Sequence, residues 1–140
     1  MSWKTNFYEL EPGATMEALV RLRAAVPVPL PQSFYDLLSF GNGGRWPAGK
    51  GQFSFLLSPA ECTAETFEWE PREPNALNDF LRGFVLIGTN GAGVCIGFDI
   101  RGREPWPIVE VDKDADPDER VTFVATDFDA FLEILGANSS

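Results

Sequence analysis

The sequence predicts an α+β fold in which an antiparallel sheet has helices on one side and at its ends. Near the centre of the chain, two apolar runs at 84–87 and 94–98 flank a loop that contains Asn90 and Gly91. This pattern is typical of a β-hairpin, because β-branched and aromatic residues suit strands and Asn-Gly favours a tight reversal. Repeated strand–helix–strand crossovers are absent, which favours antiparallel pairing. The 140 residues can bury a core of their own, and we expect one domain over residues 1–140.

The first predicted helix covers residues 15–25. Thr15 suits the N-cap position, because its hydroxyl can accept a hydrogen bond from a free N–H group of the first turn. The following residues keep the i, i+3, i+4, i+7 spacing of one helix face, and we expect them to form the apolar side of an amphipathic helix. They are Met16, Leu19, Val20 and Arg23. The prolines of segment 27–31 end this helix.

A second helix is predicted to begin at Pro31, because proline is favoured at the first helical position. Phe34, Leu37 and Leu38 form its apolar stripe. Gly41 is suited to a left-handed C-terminal cap, since glycine adopts positive φ angles without steric conflict.

The next segment, 45–52, is predicted to be a polar loop that contains Trp46. Residues 53–57 are predicted to form a strand. Ser58 and Glu61 then have the spacing of a capping box, in which each side chain bonds the backbone N–H of the other. A helix is therefore expected to start directly after Ser58.

The remaining elements are short and are bounded by turn residues. They are a helix at 75–81, strands at 107–112 and 121–124, and a final helix that is capped by Thr126 or Asp127 and ends at Gly136.

Charge limits the classes of partner. The formal net charge is −10, and the isoelectric point is about 4.3. A negative field repels nucleic-acid phosphates, so we expect no direct binding to DNA or RNA. The same field would attract a basic protein, although many proteins are acidic for solubility alone. No segment has the roughly 20 apolar residues of a membrane span, nor the apolar run of a signal peptide, so we expect a cytoplasmic protein without membrane contacts.

The chain contains no histidine. This excludes a Ser-His-Asp or Cys-His nucleophile pair and any histidine metal site. Its two cysteines, Cys62 and Cys95, are too few for a disulfide framework. The acidic residues show no spacing that brings two carboxylates together for acid–base work. We therefore expect no enzyme activity and no cofactor.

The acids Asp112, Asp114 and Asp116 alternate like the start of a calcium-binding loop. The pattern then fails, because an EF-hand needs glycine at its sixth position and glutamate at its twelfth. Pro117 and Phe123 stand at those positions. We expect a solvated acidic loop over 112–119 and no metal site.

A partner-binding surface is the alternative use of the polar and aromatic loops. Loop tryptophans are good interface anchors, although packing at the edge of the core is an equal alternative for each of them. The candidate partner-binding residues are Trp46, Glu68, Trp69, Glu70, Asp112, Asp114 and Asp116.

The order of several short motifs resembles the SUKH superfamily, which also includes fungal cell-wall synthesis regulators of the Smi/Knr type. The motifs are LPQSFYDLL at 30–38, NGG at 42–44, FLLSPAE at 55–61, IGTNGAG at 87–93, FDI at 98–100, IVEVD at 108–112 and the closing helix led by Phe128. Val94 departs from the family pattern, in which an acidic or polar residue often follows the glycine loop. The resemblance implies an α+β fold with an antiparallel sheet.

The resemblance also implies a function, because many bacterial members are immunity proteins that bind a cognate toxin without doing chemistry. Our leading hypothesis is therefore an intracellular immunity protein for a basic toxin. A regulatory scaffold of a signalling or envelope-synthesis pathway is the alternative. A third hypothesis, a carboxylate-based hydrolase, requires two acids that converge in a deep pocket.

Overall fold

A computed structural model describes residues 8–46, 55–68 and 75–137 of the chain. The helices in these ranges are α1 (Met16–Ala25), α2 (Gln32–Phe40), α3 (Ala60–Glu68), α4 (Ala76–Leu81) and α5 (Phe128–Ala137). The strands are β1 (Gly44–Trp46), β2 (Phe55–Leu57), β3 (Phe84–Thr89), β4 (Val94–Asp99), β5 (Ile108–Asp112) and β6 (Val121–Ala125).

The six strands form one antiparallel sheet in the order β1–β2–β3–β4–β5–β6. Each strand therefore pairs with its neighbour in sequence. The predicted central hairpin is present, with Val85 opposite Phe98 and Thr89 opposite Cys95. The predicted α+β class and antiparallel sheet are confirmed.

Four helices pack on one face of the sheet, and the short helix α4, which directly precedes β3, packs against the other face. Ile108 of β5 belongs to the large core cluster, to which α1, α2, α3 and α5 contribute. Its neighbour Val109 lies on the opposite face, because side chains alternate along a strand. There it forms a second cluster with Phe84, against which Phe80 and Leu81 of α4 pack.

An aromatic cluster joins α2, β4 and α5 at the centre of the large core. The ring centroid of Phe34 lies 5.4 Å from that of Phe98 and 5.6 Å from that of Phe128, both in edge-to-face geometry. All three residues are buried. Edge-to-face pairs contribute about 0.5–1.5 kcal/mol each beyond the area that they bury. This cluster therefore fixes the position of α5 on the sheet.

The predicted apolar face of α1 is confirmed at Leu19, which packs against the core, and is wrong at Met16 and Val20. Met16 and Val20 are 74% and 58% exposed, whereas Ala18 and Leu22 are buried. Helix α1 packs against α3, whose own buried residues include Ala64. Small facing side chains let two helices approach closely, so α1 turns its alanine-containing stripe inward.

The helix caps are partly as predicted. Thr15 accepts a hydrogen bond from Ala18 N at 3.1 Å, and Asp127 accepts one from Ala130 N at 2.8 Å. The capping box at Ser58 does not form, because its backbone N–H donates instead to Ile87 O at 2.8 Å.

Asn42 caps helix α3 in place of Ser58. Its Oδ1 accepts a hydrogen bond from Ala60 N at 2.7 Å, and its Nδ2 donates to Glu61 Oε1 at 2.8 Å. The cap therefore comes from a turn 18 residues earlier in the chain. It ties the end of α2 to the start of α3.

The turn after α2 also differs from the prediction. Gly41 has an extended backbone, with φ −154° and ψ 120°, and so does not form a left-handed cap. The positive φ angles occur at Gly43 (126°) and Gly44 (151°), which lead into β1. Arg45 pairs with Leu56 of β2, so this part of the predicted polar loop is a strand.

Candidate functional site

The acidic segment predicted at 112–119 forms the hairpin loop between β5 and β6. Asp112 N donates to Arg120 O at 2.8 Å, and Asp112 Oδ1 accepts from Asp114 N at 3.0 Å. Glu119 N donates to Asp116 O at 2.8 Å. These bonds order the loop backbone while the side chains of Asp114 and Asp116 remain exposed.

Arg120 anchors this loop without neutralising its acids. Its Nε donates to Ala115 O at 3.2 Å, and its guanidinium carbon lies 5.2 Å from the ring centroid of Phe80 in α4. Among the described residues, no ion pair reaches Asp114 or Asp116. The loop therefore presents Asp114 and Asp116 to solvent, and its acids outnumber its two cations, Lys113 and Arg120.

The acidic loop lies beside the β3–β4 hairpin loop. Lys113 N donates to Gly93 O at 3.3 Å. Gly93 has φ +92°, and a Cβ atom at this position would lie 2.6 Å from Asp114 Oδ2. Asn90 shapes the second loop by accepting a hydrogen bond from Ala92 N at 2.8 Å. Residues 90–93 and 113–120 together form one surface, which we call the loop edge.

Glu68 is the last residue of α3 and forms an ion pair with Arg21 of α1. Arg21 Nη2 lies 2.6 Å from Glu68 Oε1, and Arg21 Nε lies 3.0 Å from Oε2. The hydrogen bond from Arg21 lowers the pKa of Glu68, and the same bond raises the pKa of Arg21. The carboxylate of Glu68 is thus already engaged within the chain, which makes it a weaker candidate for partner contacts than the loop acids.

Trp46 lies in the core. It is 2% exposed, stacks on Phe55 with a centroid distance of 5.5 Å, and meets Phe131 edge to face at 5.9 Å. Its ring offers no surface to a partner in this structure, so we leave it out of the proposed interface. Trp69 and Glu70 lie outside the described residues.

The structure brings together only some of the predicted site residues. Asp112 is the last residue of β5, and Asp114 and Asp116 lie in the loop that follows it and leads to β6. Glu68 lies on α3, which packs against α1 and β3. The acids of the loop therefore form one candidate site, and Glu68 does not belong to it.

A small groove was not predicted from the sequence. Segments 29–31, 104–106 and 127–129 line it, and its volume is about 200 Å³. Two of these segments contain or adjoin closely spaced prolines, which block regular structure and leave stiff connections. The prolines were the only sign of the groove in the sequence, and they do not show that the three segments lie side by side. We call this feature the proline groove.

Three other carboxyl groups have shifted pKa values, those of Glu61, Asp99 and Glu110. Burial raises the pKa of Glu110, which lies on β5 opposite Ile96 and Thr122 and outside the proline groove. Burial also tends to raise the pKa of Asp99, but hydrogen bonds from the side chain and backbone of Arg101 lower it overall. The backbone bond runs from Arg101 N to Asp99 Oδ1 at 3.1 Å.

Across 8–46, 55–68 and 75–137, no group of three or more His, Cys, Asp or Glu residues is arranged to hold a metal ion. None of the helices described here is both long and apolar enough to span a bilayer.

Comparison with known proteins identifies the family. The family model described as SMI1/KNR4 (SUKH-1) matches residues 13–134, a range that runs from before α1 into α5. A search of curated proteins found no match. The match covers most of the chain and includes all six strands. The chain therefore belongs to the SMI1/KNR4 family (SUKH-1).

Proposed function

We propose that the protein is an immunity protein that binds a cognate basic toxin inside the cell and blocks it. Family membership supports this proposal, because the family includes toxin immunity proteins. In this proposal, the protein inhibits the toxin by covering part of its surface and catalyses no reaction.

The loop edge is the observation that carries the proposal for this chain. Its β5–β6 loop holds Asp114 and Asp116 exposed and free of ion pairs with the described residues. The whole chain has a formal charge of −10. Such a surface speeds the encounter with a positively charged partner and opposes encounters with acidic proteins.

The hydrolase hypothesis has less support than the immunity hypothesis from the arrangement of the carboxyl groups. A carboxyl group whose pKa is raised by burial is a typical general acid, and the half-buried Glu110 has a raised pKa. However, its cross-strand neighbours are Ile96 and Thr122, which supply neither a second carboxylate nor a nucleophile base. Burial within the sheet explains its shifted pKa without a catalytic role.

The direct test is rescue of growth. The protein is co-expressed with each toxin encoded beside its gene, and the proposal expects it to protect cells from one of them and to form a complex with that toxin. Protection from none of them would contradict the proposal. Capture of envelope-synthesis or signalling enzymes from the same cells would favour the regulatory scaffold instead.

A charge variant tests the role of the loop edge. The double substitution D116N/D118N removes two exposed charges whose side chains make no hydrogen bond to the described residues. We expect a several-fold slower association with the toxin at low ionic strength and little difference at high salt, measured by stopped flow. The matched control E17Q/E133Q makes the same charge change on exposed positions of α1 and α5. Equal slowing in both variants would show that only net charge matters.

A further inference from the structure

We propose that the proline groove binds an arginine side chain of the protein's partner. This inference rests on the proposed function in one respect, which is that the protein acts by binding another protein. It adds a second contact, away from the loop edge, and it names the chemistry of the group that fits there.

The groove has an apolar floor. Leu30, Trp106 and Phe128 line it and are 6%, 9% and 1% exposed. The flanking prolines Pro29 and Pro105 are exposed. A ligand that enters the groove therefore meets apolar side chains at its floor.

The groove is held open by contacts within the chain. Trp106 Nε1 donates to Pro29 O at 3.1 Å, which joins the β4–β5 connection to the α1–α2 connection. On the third side, Asp127 caps α5 by accepting a hydrogen bond from Ala130 N at 2.8 Å. A preformed site binds more tightly, because less conformational entropy is lost on binding.

The size of the groove fits one side chain. Its volume is about 200 Å³, whereas pockets for drug-sized ligands are roughly 300–1,000 Å³. A substrate or cofactor of ordinary size would not be enclosed. A single long side chain that projects from a partner protein would be.

The charges around the groove select a cation. Glu104, Asp127 and Asp129 line it, and none of the described residues that line it is a lysine or an arginine. Glu104 and Asp129 are exposed, so they lie at the rim. The N-terminus of α5 carries about half of a positive charge, which repels a cation. The three carboxylates have a larger negative charge, so a cation is still favoured.

Arginine suits these surroundings better than lysine does. Its planar guanidinium is weakly hydrated, stacks on flat aromatic surface and can bond two carboxylate oxygens at once. Lysine carries a compact, strongly hydrated ammonium that loses more on leaving water. Trp106 and the rim carboxylates both line the groove, and they are the two kinds of group that a guanidinium contacts.

The test uses the whole protein and the peptide acetyl-Gly-Arg-Gly-amide. Chemical shifts are followed by ¹⁵N-HSQC, in which the indole N–H of Trp106 reports directly on the groove. We expect saturable shifts at Trp106, Leu30 and Phe128, with a dissociation constant of about 1–10 mM. The peptide with citrulline in place of arginine keeps the shape but loses the charge, and it should not bind.

Variants locate the binding. E104Q/D129N retains the size of both side chains and the Asp127 cap, and it should weaken binding of the arginine peptide about threefold to tenfold. The control D116N/D118N removes the same charge at the loop edge and should leave the affinity unchanged. The HSQC spectrum of each variant shows whether it is folded, and each substitution is also made singly.

Three results would overturn the inference. They are the absence of saturable shifts up to about 20 mM peptide, equal binding of the citrulline peptide, and equal weakening by the loop-edge control. Because no toxin is used, this outcome is separate from the rescue test. Rescue without groove binding would overturn the groove alone, and groove binding without rescue would overturn the immunity function alone.

Discussion

Replacing Asn42 with alanine tests how helix α3 is started. The substitution removes the acceptor for Ala60 N and the donor to Glu61. Loss of an N-cap costs about 1 kcal/mol, within a range of about 0.5–2 kcal/mol. The bond to the exposed Glu61 carboxylate adds about 0.5–1 kcal/mol after solvent screening. We therefore expect N42A to lower the free energy of unfolding by about 2 kcal/mol.

The assay is urea unfolding followed by circular dichroism, with thermal unfolding as a second measurement. An unfolding entropy of about 2.1 cal/mol/K per residue, over 140 residues, converts 2 kcal/mol into a decrease of about 7 °C in Tm. The slope of the urea transition should stay unchanged, because the substitution alters a cap and leaves the core intact.

The matched control is S58A, since the sequence assigns the cap of α3 to Ser58. The structure gives the Ser58 hydroxyl no hydrogen bond to the described residues, so we expect a change within about 0.5 kcal/mol. If the capping box formed, S58A would lose more stability than N42A. A larger loss for S58A than for N42A would refute the assignment of the cap to Asn42.

The pH dependence separates the two bonds of Asn42. Its hydrogen bond lowers the pKa of Glu61 below the ordinary value of 4.5. Because the folded-state pKa is depressed, this stabilisation is present above the unfolded pKa and is lost as the pH falls through the folded value. The difference in unfolding free energy between wild type and N42A should therefore become smaller at acid pH. The difference that remains there is due to the hydrogen bond from Ala60 N.

Two further predictions concern α1. L22A removes a fully buried side chain and should cost about 2–5 kcal/mol, whereas V20A, at a 58% exposed position, should change the unfolding free energy by no more than about 0.5 kcal/mol, both by urea unfolding. R21A should lower Tm slightly at pH 7 and low salt and have no effect at high salt, because the ion pair with Glu68 is exposed. The effect of R21A should also vanish as the pH falls through the folded pKa of Glu68, since that pKa is depressed and the stabilisation needs the charged carboxylate. A larger loss for V20A than for L22A, or an R21A effect that persists in salt and acid, would contradict these assignments.

The central hairpin and the last helix were predictable, because their signals are local. Gly91 adopts φ +77° in the loop that joins β3 and β4, as its place after Asn90 indicates. Asp127 caps α5 from the position directly before it. In both cases, the residues that form the feature lie within a few positions of one another.

The face of α1 could be predicted only in part, because the helix carries two apolar stripes. Hydrophobicity favours the stripe with Met16 and Val20, whereas the fold buries the stripe with Ala18 and Leu22. The choice depends on the shape of α3, which presents Ala64 to the core. Patterns within one helix contain no information about the shape of its neighbour.

The same limit applies to the candidate site. The loop acids were found because they are adjacent in sequence, but Glu68 resembled them until the structure showed Arg21, 47 residues away, bonded to it. Trp46 was similarly assigned to a loop, although it is a core residue of β1. Which charged or aromatic groups are available to a partner depends on long-range contacts, and these do not follow from local sequence.

The loop edge and the proline groove should affect binding through different rate constants. Strand β5 lies between them, and its five residues span about 17 Å. The groove adjoins the start of this strand, and the loop edge adjoins its end. Exposed loop charges act over a distance and change the association rate with strong dependence on salt. An arginine seated on the buried floor of the groove must break short-range contacts to leave, so the groove controls mainly the dissociation rate. Substitutions at the two sites should therefore be separable in the kinetics of a single complex even where their effects on the dissociation constant are equal.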